Sequence, residues 1–173
     1  MEWLHCPNKP IEIISPERYL IEKKRITPNM LPVIRSVYSN KTISLASGCF
    51  DILHPGHAEF LMQAREQAEM LVVGVNSDTS VKRLKGPNRP KIPDYKRAAM
   101  IAALGMTDYV YIFDELNVSE HLELLKPDVY TVFEESMCAD KPELVVAENL
   151  GINVHVVGRY GSNNSSTYII NSL

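Results

Sequence analysis

The sequence has no apolar run approaching the ~20 residues that span a bilayer. Its first residues, MEWLHCPNKP, lack the basic region and apolar core of a signal peptide. The expected setting is therefore the cytoplasm, with no membrane partner. Cysteine is scarce: Cys6, Cys49 and Cys138 are an odd number at wide spacing. That count supports neither a disulfide framework nor a zinc site, and reads as reduced thiols. There is no surplus of positive charge either. Lys and Arg total 18 against 21 Asp and Glu, a formal net charge of -3. Broad nucleic-acid binding needs clustered cations, so no nucleic-acid partner is expected. Also missing are a G-x-x-x-x-G-K-[ST] loop and a G-x-G-x-x-G loop, which sets aside those two phosphate-binding designs.

What remains is an ordinary globular composition in 173 residues, with 45% apolar and 23% charged side chains. Length alone suits one domain with its own core. Two regions differ in texture. Residues 1–40 carry five prolines, Pro7, Pro10, Pro16, Pro28 and Pro32. They read as an N-terminal extension packed on the domain, or as an arm for a partner or a second copy. SPERYLIEKK predicts a short helix, with Ser15 as N-cap and Pro16 at the first helical position. A second short helix is expected after Thr27-Pro28.

From Lys41 to the C-terminus the pattern is regular. KTISLAS, MLVVGVNS, DYVYIF, DVYTVF and INVHVVG are apolar, β-prone runs. Helical patterns separate them. The first spans Pro55 to Ala68. DYKRAAMIAALGM predicts another, with Asp94 as N-cap and an end at Gly105. NVSEHLELLKP stops at Pro127, KPELVVAENLG closes on Gly151, and SSTYIINSL opens a last helix. SDTSVKRLKGPNRPKIP reads as a polar loop with a short helix at its start. Such alternation predicts an α/β fold, a doubly wound, Rossmann-like parallel sheet covered on both faces.

In such sheets ligands bind where strands lead into helix N-termini, and those termini attract phosphate. The first junction reads SGCFDILHPGH, Ser47 to His57. Pro55 suits a first helical turn, and Gly56 allows a ligand close to the backbone. His54 and His57, three apart, face roughly the same side and can donate to one phosphate group. Two other readings stay open from spacing: a metal site, for which no third ligand is near, and simple capping of the helix.

GCFDILHPGH resembles the HxGH signature of the cytidylyltransferase-like nucleotidyltransferases. VGVNSDTSVKRLKGPNRP, PDYKRAAMIAALGMTDYV and GRYGSNNSSTYII are similar, in the same order, to segments of bacterial D-glycero-D-manno-heptose 1-phosphate adenylyltransferases. The resemblance implies transfer of a nucleotidyl group from an NTP, ATP or CTP, to a phosphorylated small molecule, with release of pyrophosphate. It implies that His54, His57 and Lys85 act on the triphosphate. Gly48, Cys49, Phe50 and Gly56 would line the nucleotide site, with Arg159, Ser165, Ser166 and Thr167 at the far end of the chain. Asp51, Asp78 and Arg89 would meet the acceptor. Mg²⁺ is the expected cofactor, held mainly by the triphosphate, and a homodimer the expected state. Plainer roles stand beside these: solvated surface lysines for Lys82 and Lys85, turn organisers for Asp51 and Asp78, an ion pair for Arg97, and an N-cap for the serines. One departure stands out. Where those enzymes carry Lys-Gly-Gly-Asp after the fourth strand, this chain has VFEES, Val132 to Ser136. That change bears on which acceptor or base is taken.

Overall fold

The computed structural model describes residues 16–137 and 141–158. Five apolar runs form strands: β1 Ile43–Gly48, β2 Met70–Asn76, β3 Tyr109–Phe113, β4 Val129–Phe133 and β5 Asn153–Val157. All neighbouring pairs are parallel, and the sheet order is β3-β2-β1-β4-β5. The chain thus moves outward on one side of β1 and then returns to the other. The point of reversal, between β1 and β4, is where a doubly wound sheet opens a crevice at its carboxyl edge.

Helices fill both faces: α1 Pro16–Lys24, α2 Leu31–Val37, α3 Pro55–Glu66, α4 Asp78–Lys85, α5 Asp94–Ala103, α6 Ser119–Leu125 and α7 Pro142–Asn149. The pleat sorts side chains between two cores. Met70 and Val72 of β2 join Leu31, Ile34, Leu122 and Ala147 on one face. Leu71, Val73 and Val75 join Phe60, Leu61, Ile101 and Ala102 on the other. So α2, α6 and α7 cover one side and α3 and α5 the other. That two-sided burial is why the β2 run is continuously apolar, with all seven residues buried.

The segment before Lys41 supplies part of this core. Leu31 and Ile34 are buried, and the Ile26 N–H donates to the Val110 carbonyl at 2.9 Å. The expected cap Ser15 and the last helix fall outside the described residues, as do Cys6 and Cys138.

One local expectation holds and another changes. The segment after β2 opens with the expected short helix, α4, capped by the Ser77 hydroxyl, which accepts the Ser80 N–H at 3.0 Å. In α5 the N-cap is Pro93, with Asp94 first in the helix, and the helix ends at Ala103. Asp94 is drawn elsewhere: its carboxylate accepts the Asp78 N–H at 3.0 Å, while Asp78 accepts the Asp94 N–H at 2.8 Å. The starts of α4 and α5 therefore brace each other.

One glycine has no room to change. A Cβ on Gly74 of β2 would lie 2.8 Å from the Tyr111 hydroxyl oxygen and 2.9 Å from its ring. Tyr111 is fully buried and cannot swing away. Gly74→Ala therefore overpacks the core, with an expected cost of about 1–3 kcal/mol. Thermal melting checks this, as a lowered Tm of roughly 2–4 °C per kcal/mol for a chain of this size. An unchanged Tm would mean that Tyr111 repacks freely.

Candidate functional site

The carboxyl ends of β1, β2 and β4 border a cavity of about 410 Å³. The β1–α3 turn forms one wall. It runs Gly48-Cys49-Phe50, with Phe50 in the left-handed region at φ 47°. The ring of Phe50 folds back over Gly48, where an added Cβ would lie 3.1 Å from it. Gly48 thus gives up its side chain to a protein ring, and that ring lines the cavity.

His54 is the N-cap of α3, in extended backbone at φ -143° and ψ 166°, with its side chain making no capping bond. Pro55 and the buried Gly56 follow in the first turn; Pro55 has no N–H and the His57 N–H donates to the His54 carbonyl at 2.9 Å, so the helix-start N–H left over is that of Gly56. The rings of His54 and His57 stack, with centroids 3.7 Å apart and planes at 26°. Phe50 meets His57 edge-on at 5.2 Å. The Nδ1 atoms of both histidines are buried without a hydrogen-bond partner among the described residues. Buried polar atoms ordinarily find partners, and a phosphate oxygen would be one.

Electrostatics keep this pair neutral. Burial, and then the neighbouring His54 and Lys85, push the His57 pKa down to about 3; a hydrogen bond with the Ile52 backbone opposes this. Burial and Lys85 lower that of His54 as well. The His57 ring is therefore uncharged at neutral pH. NMR of its ring protons should show no titration step between pH 5 and pH 8; a step near the ordinary value of 6.5 would overturn the buried, cation-flanked environment.

The remaining residues fall into two groups. Gly48, Cys49, Phe50, His57 and Lys85 line the cavity together. His54, Gly56, Asp51, Asp78 and Arg89 are not among its lining residues. Asp51 is 1% exposed and turned inward. It pairs with Arg89 Nε at 2.5 Å and accepts the N–H groups of Lys91 and Ile92 at 2.7 and 3.0 Å. Burial alone raises its pKa, but those N–H groups and the guanidinium outweigh it and hold the carboxyl below its ordinary value. Arg89 is itself buried, its Nε used by Asp51. Asp78 is partly exposed and paired with Arg97 at 2.8 Å. Asp51 and Asp78 thus make internal ion pairs, and Arg89 Nη2 is buried with no hydrogen-bond partner among the described residues.

Arg97 holds the site's frame. It is 1% exposed and donates to the Cys49 carbonyl, to the Ile92 carbonyl at 2.8 Å and to Asp78 at 2.8 Å. One planar fork thus joins the β1–α3 turn, the loop before α5 and the start of α4. Lys82, in the last turn of α4, is not among the lining residues, whereas Lys85 is. Arg159, Ser165, Ser166 and Thr167 lie outside the described residues.

Val132, Phe133 and Ser136 of the VFEES segment line the cavity, and several lining residues were not foreseen: Asn76, Asn117, Tyr130, Lys141 and Glu143. Asn76 is fixed by donating to Ser80 Oγ at 3.0 Å, and it receives the Cys49 thiol at 3.7 Å. Its signal in the sequence was a polar residue ending an apolar strand. Lys141 and Glu143 carried no such signal. Among the described residues, no three His, Cys, Asp or Glu side chains group as a metal site. No helix among them is long and apolar enough to cross a membrane.

Comparison with known proteins places this geometry. A family model described as cytidylyltransferase-like matches residues 45–172. The bifunctional protein HldE of Campylobacter jejuni subsp. jejuni serotype O:2 is 45% identical over 118 residues, which is 68% of this chain and 25% of that protein. HldE of Syntrophotalea carbinolica is 48% identical over 89 residues, 51% of this chain and 18% of that protein. The chain thus spans about a quarter or less of the length of these relatives. Among solved structures, the lipopolysaccharide core biosynthesis protein from Thermoplasma volcanium GSS1 aligns with a TM-score of 0.59 at 28% identity, covering 70% of this chain and 98% of that one. A pantoate-beta-alanine ligase from Francisella tularensis shares the fold alone, with a TM-score of 0.54 at 14% identity over 86% of this chain and 72% of its own.

Proposed function

The chain belongs to the cytidylyltransferase-like family, and on that footing we propose that it transfers a nucleoside monophosphate from an NTP, with ATP favoured, to a sugar phosphate such as heptose 1-phosphate. The observation that carries this reading is the stacked His54–His57 pair at the start of α3, of which His57 shares the cavity with Lys85. Similarity to HldE proteins supports the heptose phosphate as acceptor.

In this reaction an oxygen of the acceptor phosphate attacks the α-phosphorus of the NTP. The bond from that phosphorus to the bridging oxygen breaks, and pyrophosphate leaves with the electron pair. The attacking phosphate is already ionised near neutral pH, so no general base is needed. Catalysis is then positioning and stabilisation of charge on phosphate oxygens. His54 and His57 are placed to hydrogen-bond those oxygens. Lys85 supplies the fixed positive charge. The Gly56 N–H, at the helix start, adds a donor of the same kind. Mg²⁺ fits here as an ion bound by phosphate oxygens and water, since the cavity offers few carboxylates, and it would neutralise triphosphate charge. We place the protein in the cytoplasm as a homodimer, with no nucleic-acid partner. The sparse cysteines and mildly acidic balance support the setting, and the enzymes it resembles support the assembly.

A panel of ATP, CTP, GTP and UTP, each with heptose 1-phosphate and with glycerol phosphate, tests the reading by pyrophosphate release. The expected result is release with ATP and heptose 1-phosphate. Release only with CTP and glycerol phosphate would make it a cytidylyltransferase of a polyol phosphate. No release with any pair, while nucleotide still bound, would make it a non-catalytic nucleotide sensor.

A further inference from the structure

The acceptor phosphate needs a cation, and the residue expected to provide one does not face the cavity. The Nε of Arg89 is committed to Asp51, with which it is buried. The end of β4, where the enzymes this chain resembles carry Lys-Gly-Gly-Asp, offers none either. There Phe133 lies flat on Phe60, ring centroids 4.0 Å apart and planes at 15°, closing that position with an aromatic wall. Glu134 and Glu135 beyond it are exposed.

A cation does arrive nearby, from the next element. Lys141, the N-cap of α7, is half-buried and lines the same cavity as Val132, Phe133 and Ser136. The topology sets it opposite Lys85. Lys85 ends the helix that follows β2, Lys141 begins the helix that follows β4, and β2 and β4 flank β1. Among the described residues neither lysine has a carboxylate at ion-pair distance, Glu143 included.

We propose that Lys141 binds the phosphate of the acceptor, replacing from α7 the cation that β4 no longer carries. This rests on the transferase reading above. Two anions must meet for the transfer to occur, and like charges repel. A nucleobase is uncharged and gains little from a lone ammonium. With the triphosphate held from the Lys85 and His57 side, a lysine on the opposite wall is placed to bring in the second anion and to offset that repulsion. Lys141 then selects for acceptors that carry a phosphate.

The test is Lys141→Gln, with Lys141→Arg as its conservative partner and circular dichroism to confirm the fold. Steady-state kinetics with ATP and heptose 1-phosphate should show KM for the sugar phosphate raised about tenfold or more. KM for ATP should stay within about twofold, and the arginine variant should recover most of the loss. An equal or larger rise in KM for ATP would assign Lys141 to the triphosphate and overturn the proposal. So would no change in either constant. If the wild-type protein turns over no substrate pair, the transferase reading fails separately. Calorimetric titration of heptose 1-phosphate into wild-type and Lys141→Gln protein then decides: weaker binding by the variant supports the lysine's role, and equal binding, or none to either, ends it.

Discussion

Replacing His57 by alanine lowers kcat by about 10²–10³-fold while leaving nucleotide binding and the fold in place. The size follows from what the ring does. In the role we propose, it lies beside Lys85, stacked on His54, and hydrogen-bonds phosphate oxygens on which charge grows as the bond to pyrophosphate breaks. Removing one such preorganised donor costs about 2.7–4 kcal/mol of transition-state stabilisation. Its effect should fall on kcat more than on KM, because the interaction strengthens in the transition state. Single-turnover kinetics with a parallel nucleotide titration measure both. A variant with wild-type kcat would sink the role assigned to the pair. His57→Ala should also flatten part of the acid side of the stability profile. In the folded chain the imidazole stays neutral down to about pH 3, whereas the unfolded imidazole takes up a proton below about 6.5. Stability contributed by the neutral ring is therefore whole above that value and declines as pH falls.

Asp51→Ala should produce the largest loss of stability, about 3–5 kcal/mol. The carboxylate is fully buried, and its removal strands the buried Arg89 guanidinium and two backbone N–H groups. A buried charge left without its partner carries nearly its full desolvation penalty. Those N–H groups belong to the same loop that Arg97 ties to the Cys49 carbonyl, so the turn carrying the histidines loosens too. Chemical denaturation measures the loss, and a change under about 1 kcal/mol would show that Arg89 finds water or another partner. The pH dependence has a definite sign. The folded-state pKa lies below the ordinary 3.8, so this stability is present above about pH 4 and disappears as pH drops through the folded value. Asp51→Asn, which cannot ionise, should remove that part of the acid limb.

Much of the fold was legible because burial on both faces writes itself into local composition. A strand such as Met70–Asn76 must be apolar at every position, whatever lies far away in the chain. The helix start at His54–His57 was equally readable, since proline and glycine suit a first helical turn. The helix Asp78–Lys85 was harder. Its polar face reads like a loop, and what holds it, the Asp78–Asp94 brace and the Arg97 fork, comes from residues about a dozen or more positions away. Asp51 shows the same limit. An aspartate in a turn beside a binding motif looks like a ligand contact, and only packing reveals that Arg89 has already taken its carboxylate.

The sequence by itself determined which segments become strands and helices, and that the first strand leads into a helix-opening turn carrying two histidines. These depend on spacing within a few residues, which periodicity and turn chemistry carry directly. Tertiary structure alone decided which side chains share the cavity. Strand order brings β4 beside β1 across more than eighty residues of chain, and that crossing sets Lys141 against Lys85 while burying Arg89 and Asp51 behind them. Exclusion of water from the sheet's faces chooses that order, and no local pattern encodes it.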